Sequence, residues 1–62
     1  MNEYVVIFDN RKGDIISETF YDNWSFSELH DILNKSSFVN LGGVLYNTSN
    51  ILSVELVNEK KD

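Results

Sequence analysis

A chain of 62 residues without cysteine makes one small domain and excludes disulfides, thiolate nucleophiles and cysteine-built metal sites. At this length only about 60% of the unfolded surface is buried on folding, so one helix on one sheet is near the limit of what can be held. The net charge of −5 falls on residues 1–57, because the tail Asn58-Glu59-Lys60-Lys61-Asp62 carries two acidic and two basic side chains; with only Arg11, Lys12 and Lys35 outside that tail, direct nucleic-acid binding, which needs Lys and Arg against phosphates, is not expected.

Residues 4–8 are continuously apolar, the pattern of a central strand with both faces covered. The chain then breaks at Asp9-Asn10-Arg11-Lys12-Gly13-Asp14. Gly13 suits the left-handed position of a three-residue hairpin loop, and with Arg11, Lys12 and Gly13 as that loop, Phe8 faces Ile16 and Tyr4 faces Phe20. This register collects Tyr4, Val6, Phe8, Ile16 and Phe20 on one face, with Glu18 as a misfit. The opposite face holds Val5, Ile7, Ile15, Ser17, Thr19 and Tyr21. The stretch preceding residue 4 has no basic segment, and the apolar run is five residues long, so neither a signal peptide nor a membrane span is expected and a cytoplasmic location follows.

Between residues 22 and 37 the period lengthens. Phe26, Leu29, Ile32 and Leu33 recur at helical spacing, with polar residues on the other side. Ser25 followed by Glu28 is a capping-box pattern, Trp24 is placed to staple onto Leu29, and Lys35 suits the negative end of the helix dipole. Two β-rich runs, 38–41 and 44–47, flank Gly42-Gly43, a pair that supplies the positive φ angles of a tight hairpin. After Thr48-Ser49-Asn50, residues 51–57 alternate so that Leu52, Val54 and Leu56 share one face.

The fold expected is α+β: a four-stranded antiparallel sheet in the order β-β-α-β-β with one helix on one face, a single compact domain over residues 1–57 and a frayed charged tail over 58–62. Such a sheet leaves its second face and its edges open to partners.

Chemistry is scarce. His30 is the one histidine, and a zinc site around it would draw nearly all its ligands from carboxylates. The 9–14 loop places Arg and Lys where a calcium loop needs oxygen ligands, and Gly42-Gly43 lacks the lysine and following helix of a phosphate loop. Glu28 and Asp31 lie one helical turn apart, but acid–base work needs a pocket that separates their pKa values. No enzyme activity, metal or cofactor is expected. The collection that remains is electrostatic: Glu18, Asp22, Glu28 and Asp31 with Tyr21 and Trp24 interleaved, a set in which charges steer an encounter and aromatics anchor it. These six are the candidate partner-binding residues.

The segment FVNLGGVLYNTSNILSVE, residues 38–55, resembles the C-terminal hairpin of short uncharacterised proteins of low-GC Gram-positive bacteria and of their phages and mobile elements. In size, acidity and strand order the chain is also similar in kind to small phage inhibitors, including DNA-mimicking inhibitors of uracil-DNA glycosylase and compact inhibitors of RNA polymerase. The acidic body and the absence of any catalytic or metal site lead to the expectation of a non-enzymatic protein-binding module, a phage or mobile-element product that modulates a host protein, with DNA mimicry as its sharper form. The alternative expectation is a structural homo-oligomer, such as a homodimer, joined through the uncovered sheet face or an edge strand. The partner is then a host protein or a second copy of the chain, and no membrane is involved.

Overall fold

A computed structural model describes residues 1–59. In chain order these form β1 (Asn2–Asp9), β2 (Ile15–Asp22), α1 (Phe26–Lys35), β3 (Phe38–Leu41), β4 (Val44–Asn47), a short 3-10 turn (Thr48–Asn50) and β5 (Ile51–Asn58). The α+β class holds, but the single four-stranded sheet is overturned. β2-β1-β5 make a three-stranded antiparallel sheet, and β3-β4 make a separate two-stranded one.

The correction has a physical cause. β1 is the central strand that its apolar run suggests, but β5 rather than the hairpin occupies its second side. Excluded from that place, β3 and β4 pack face-on against the sheet. Val39 and Leu41 are buried with Tyr4, Val6, Phe20 and Leu29. The turn touches β2 directly, since a Cβ at Gly42 would stand 2.8 Å from the Phe20 Cβ. Gly42 (φ 62°) and Gly43 (φ 88°) both take left-handed backbone, as a two-residue hairpin turn requires, and the Asn40 side chain accepts the Gly43 N–H at 2.9 Å. Asn47 then ends β4 by accepting the Ser49 N–H at 3.0 Å, which opens the 3-10 turn that returns the chain to β1.

The first hairpin has the expected register, with Tyr4 opposite Phe20 and Phe8 opposite Ile16. The Tyr4 and Phe20 rings stack at 5.2 Å between centroids. At the tip, Asp9 and Asn10 cap the loop by accepting the N–H groups of Arg11 and Lys12 at 2.8 and 2.9 Å. Arg11 shares the left-handed region with Gly13 (φ 69° and 89°).

β5 departs from simple alternation. Its pairing with β1 shifts register twice, between Ile7 and Phe8 and between Glu3 and Tyr4. Leu52 and Val57 are the extra residues, two on β5 against one on β1. Leu52 is therefore 58% exposed, not buried, and Leu56 is 36% exposed, while Ile51 and Val54 pack against the core. Asn58, expected to begin the tail, closes β5 opposite Glu3. The expected tail beyond residue 59 lies outside the described residues.

The helix starts on a complete capping box: Ser25 accepts the Glu28 N–H at 3.2 Å and Glu28 accepts the Ser25 N–H at 3.3 Å. Leu29 is fully buried and Ile32 and Leu33 pack beside it. Phe26, in the first turn, stays 47% exposed. Helix and hairpin thus share one face of the three-stranded sheet, and the face carrying Val5 and Ile7 has no second layer among the described residues.

Candidate functional site

Stacking the hairpin face-on beneath the sheet has a consequence for shape. β2 is an edge strand and β4 ends beside it without pairing to it, so a groove of about 730 Å³ opens along β2 between the two. That volume lies within the roughly 300–1,000 Å³ of ordinary ligand clefts. Its apolar surface comes from Phe8 and Phe20 on the sheet and Leu41, Val44, Leu45 and Tyr46 on the hairpin. Val44 and Leu45 are 52% and 68% exposed, so water covers apolar surface here that an occupant would release. Phe8 and Tyr46 meet edge to face at 4.9 Å and hold the sheet and the hairpin at a fixed distance.

Charge in the groove is sparse and ordered. Asp9 and Arg11 sit at the loop end, where the Asp9 carboxylate is engaged by the Arg11 backbone N–H. Glu18 lies midway along β2, and its carboxylate makes no hydrogen bond or ion pair among the described residues. Its presence is felt by Tyr46, whose phenol is held above its ordinary range first by partial burial and second by the Glu18 carboxylate. A phenolate would lose solvation and meet a negative neighbour.

The six residues singled out from the sequence divide. Glu18 and Tyr21, the latter 56% exposed, both border the groove, but Glu18 belongs to the covered face of the sheet and Tyr21 to the opposite one. Asp22, Trp24, Glu28 and Asp31 do not line it. Asp22 accepts the Asn23 N–H at 2.7 Å and Glu28 caps the helix, so both carboxylates serve local backbone groups. Trp24 packs against the core, and its carbonyl accepts from the Tyr4 hydroxyl and, at 3.0 Å, from the Asn2 side chain. Asp31 is exposed on the helix surface. His30 is also exposed, 3.4 Å from the Asn34 side chain. Among the described residues no group of three His, Asp or Glu side chains is placed to hold a metal ion.

Sequence reasoning missed Phe8, Val44, Leu45 and Tyr46 as groove residues. A signal was available: Val44, Leu45 and Tyr46 are consecutive and apolar, yet a strand with one covered face needs only alternate apolar positions. The surplus is what faces the groove. No helix among the described residues is long and apolar enough to cross a membrane. Comparison with protein-family models, with curated proteins and with solved structures finds no match to this chain.

Proposed function

We propose that this chain is a small acidic, non-enzymatic protein-binding module, of the kind phages and mobile elements use to modulate a host protein, and that it binds through the groove along β2. One observation carries the reading: a cleft floored by Phe20, Leu41 and Tyr46 runs beside a strand edge unpaired among the described residues and holds an exposed carboxylate, Glu18, with no hydrogen-bond or ion-pair partner among them. Apolar anchors with a small number of placed polar groups are the composition of recognition sites. The test is site-specific photo-crosslinking in host lysate, with the reactive group placed at Val44 in the groove or at Asp31 on the helix. A specific partner captured from Val44 and not from Asp31 is expected. Equal capture from both, or none from either, removes the reading.

A second reading is favoured by a different surface. On the sheet face opposite the helix, Val5 and Ile7 are flanked by Ile15 and Tyr21, which are 68% and 56% exposed, and apolar patches of this kind often join subunits. A homo-oligomer assembled there gives a mass in solution that rises with concentration and falls when Ile7→Lys is introduced. A strict monomer at high concentration removes it.

A further inference from the structure

The free edge of β2 has a defined phase. The Asn10 N–H donates to the Asp14 carbonyl at 3.1 Å, and opposed residues in an antiparallel pair alternate between bonded and non-bonded. Continuing that alternation along the register, Phe8 with Ile16, Val6 with Glu18 and Tyr4 with Phe20 turn their backbone groups toward one another. Ser17, Thr19 and Tyr21 therefore turn theirs outward, away from β1. The side chains between them, Glu18 and Phe20, point to the covered face of the sheet, where the groove lies. β2 pairs over eight residues without a register shift. An unbulged edge of that length is a template for another strand.

We propose that the groove takes an extended segment of a partner protein, added to β2 as a new strand, with a Lys or Arg opposite Glu18 and an apolar residue two positions away opposite Phe20. This rests on the reading of the chain as a protein-binding module and specifies what the module recognises. The incoming backbone pairs with the N–H and C=O groups of Ser17, Thr19 and Tyr21, as in other cases of strand addition. Residues of the new strand opposite 18 and 20 fall on the groove side because side chains alternate with period two. There the apolar one lies over the buried Phe20 and Leu41 and covers the exposed Val44 of the groove lining, and the cation meets the one carboxylate in the middle of the groove. Charge also decides against a second copy of the chain as occupant. None of the five strands contains a Lys or Arg, so a strand lent by another copy brings no cation to Glu18, and an edge pairing between copies adds acid to acid.

The test is selection of short random peptides on the intact protein, with the bound site mapped by backbone amide shifts. Enriched peptides are expected to share a Lys or Arg and an apolar residue two positions apart, and to shift the amides of residues 17–21. Glu18→Gln weakens a selected peptide about threefold to fivefold, the size of a partly exposed ion pair. Glu18→Lys selects Asp or Glu at the same peptide position. Thr19→Pro leaves the protein folded, because that N–H takes no part in the ladder, yet removes binding. N-methylation of the peptide amides that face β2 does the same from the other side. The proposal is overturned if nothing is enriched, if the basic preference survives Glu18→Lys, if the shifts fall on α1 or the open sheet face, or if the protein is already a dimer through β2. Photo-crosslinking at Val44 separates the two levels: a captured partner with failed peptide selection defeats strand addition and leaves the module reading standing, whereas no capture defeats the module reading itself.

Discussion

The three-stranded sheet has two outer edges, and they are built differently. β5 meets β1 through two register shifts that leave Leu52 and Val57 unpaired, and such bulges twist an edge and spoil it as a template. β2 meets β1 without interruption and presents a regular row of backbone groups. It carries one blunting device, Glu18, a charge aimed at the covered face. That device discriminates rather than closes: it repels another acidic strand and admits one that brings a cation. A small domain therefore protects itself at one edge by geometry and at the other by charge, and the charged edge stays usable.

The largest expected effect comes from proline, which tests the phase of the ladder at both strands. Val5→Pro, in the central strand where both neighbours are paired, removes a ladder bond and is expected to cost roughly 3 kcal/mol or more. That is comparable to the whole stability of a chain this size, about 0.05–0.15 kcal/mol per residue, so the variant unfolds by circular dichroism. Thr19→Pro, on the free edge of β2, should cost only about 1 kcal/mol by urea denaturation, since prolines are tolerated where the N–H faces solvent. Equal losses would show that the Thr19 N–H points into the ladder and not outward. Next in size is Gly42→Val, which adds a Cβ against Phe20 at a φ of 62°. Strain and overpacking together predict a loss of about 2–4 kcal/mol, and any folded remainder should show exposed apolar surface by dye binding.

Deleting Leu52 sharpens the contrast more gently. With the extra residue gone, β5 pairs in regular register past Ile7 and Phe8, and its edge becomes regular from there to the remaining bulge at Val57. Stability should change by less than about 1 kcal/mol, within the range of ordinary surface substitutions and small packing changes. Association should appear as a mass that rises with concentration in light scattering. The smallest effect is a titration. Tyr46 holds its proton above the ordinary value near 10, so the folded state binds that proton more tightly than the unfolded chain. The linked stability is complete below the ordinary tyrosine value and is lost as pH rises through the raised one. Glu18→Gln removes the lesser of the two causes and should move the Tyr46 ultraviolet titration part of the way back down. An unchanged titration places Glu18 too far away to influence the groove.

Much of the local structure was legible because local chemistry fixes it. Gly42-Gly43 needs left-handed backbone, Ser25 and Glu28 satisfy each other's neighbouring N–H groups, and the Asp9-to-Asp14 loop sets the first register. Glu18 could be recognised as a misfit from that register alone. What the residues could not convey was whether β3–β4 joins the sheet by its edge or stacks on it by its face. Val39 and Leu41 alternate with Asn40 in the same way in either case, because a period of two records which side is covered and not what covers it. The β5 bulges were hidden for a related reason: Leu52, Val54 and Leu56 alternate cleanly, and the extra residue is created by its partner strand. The groove follows from both, so it was not visible until the sheet was seen to be divided.

The bond from the Tyr4 hydroxyl to the Trp24 carbonyl ties the one tryptophan of the chain to the core, away from the residues that border the groove. Its emission should therefore follow unfolding and stay nearly silent when the groove fills, while Tyr46 absorbance responds to occupancy. Stability and occupancy can then be read as separate optical channels in one unlabelled sample.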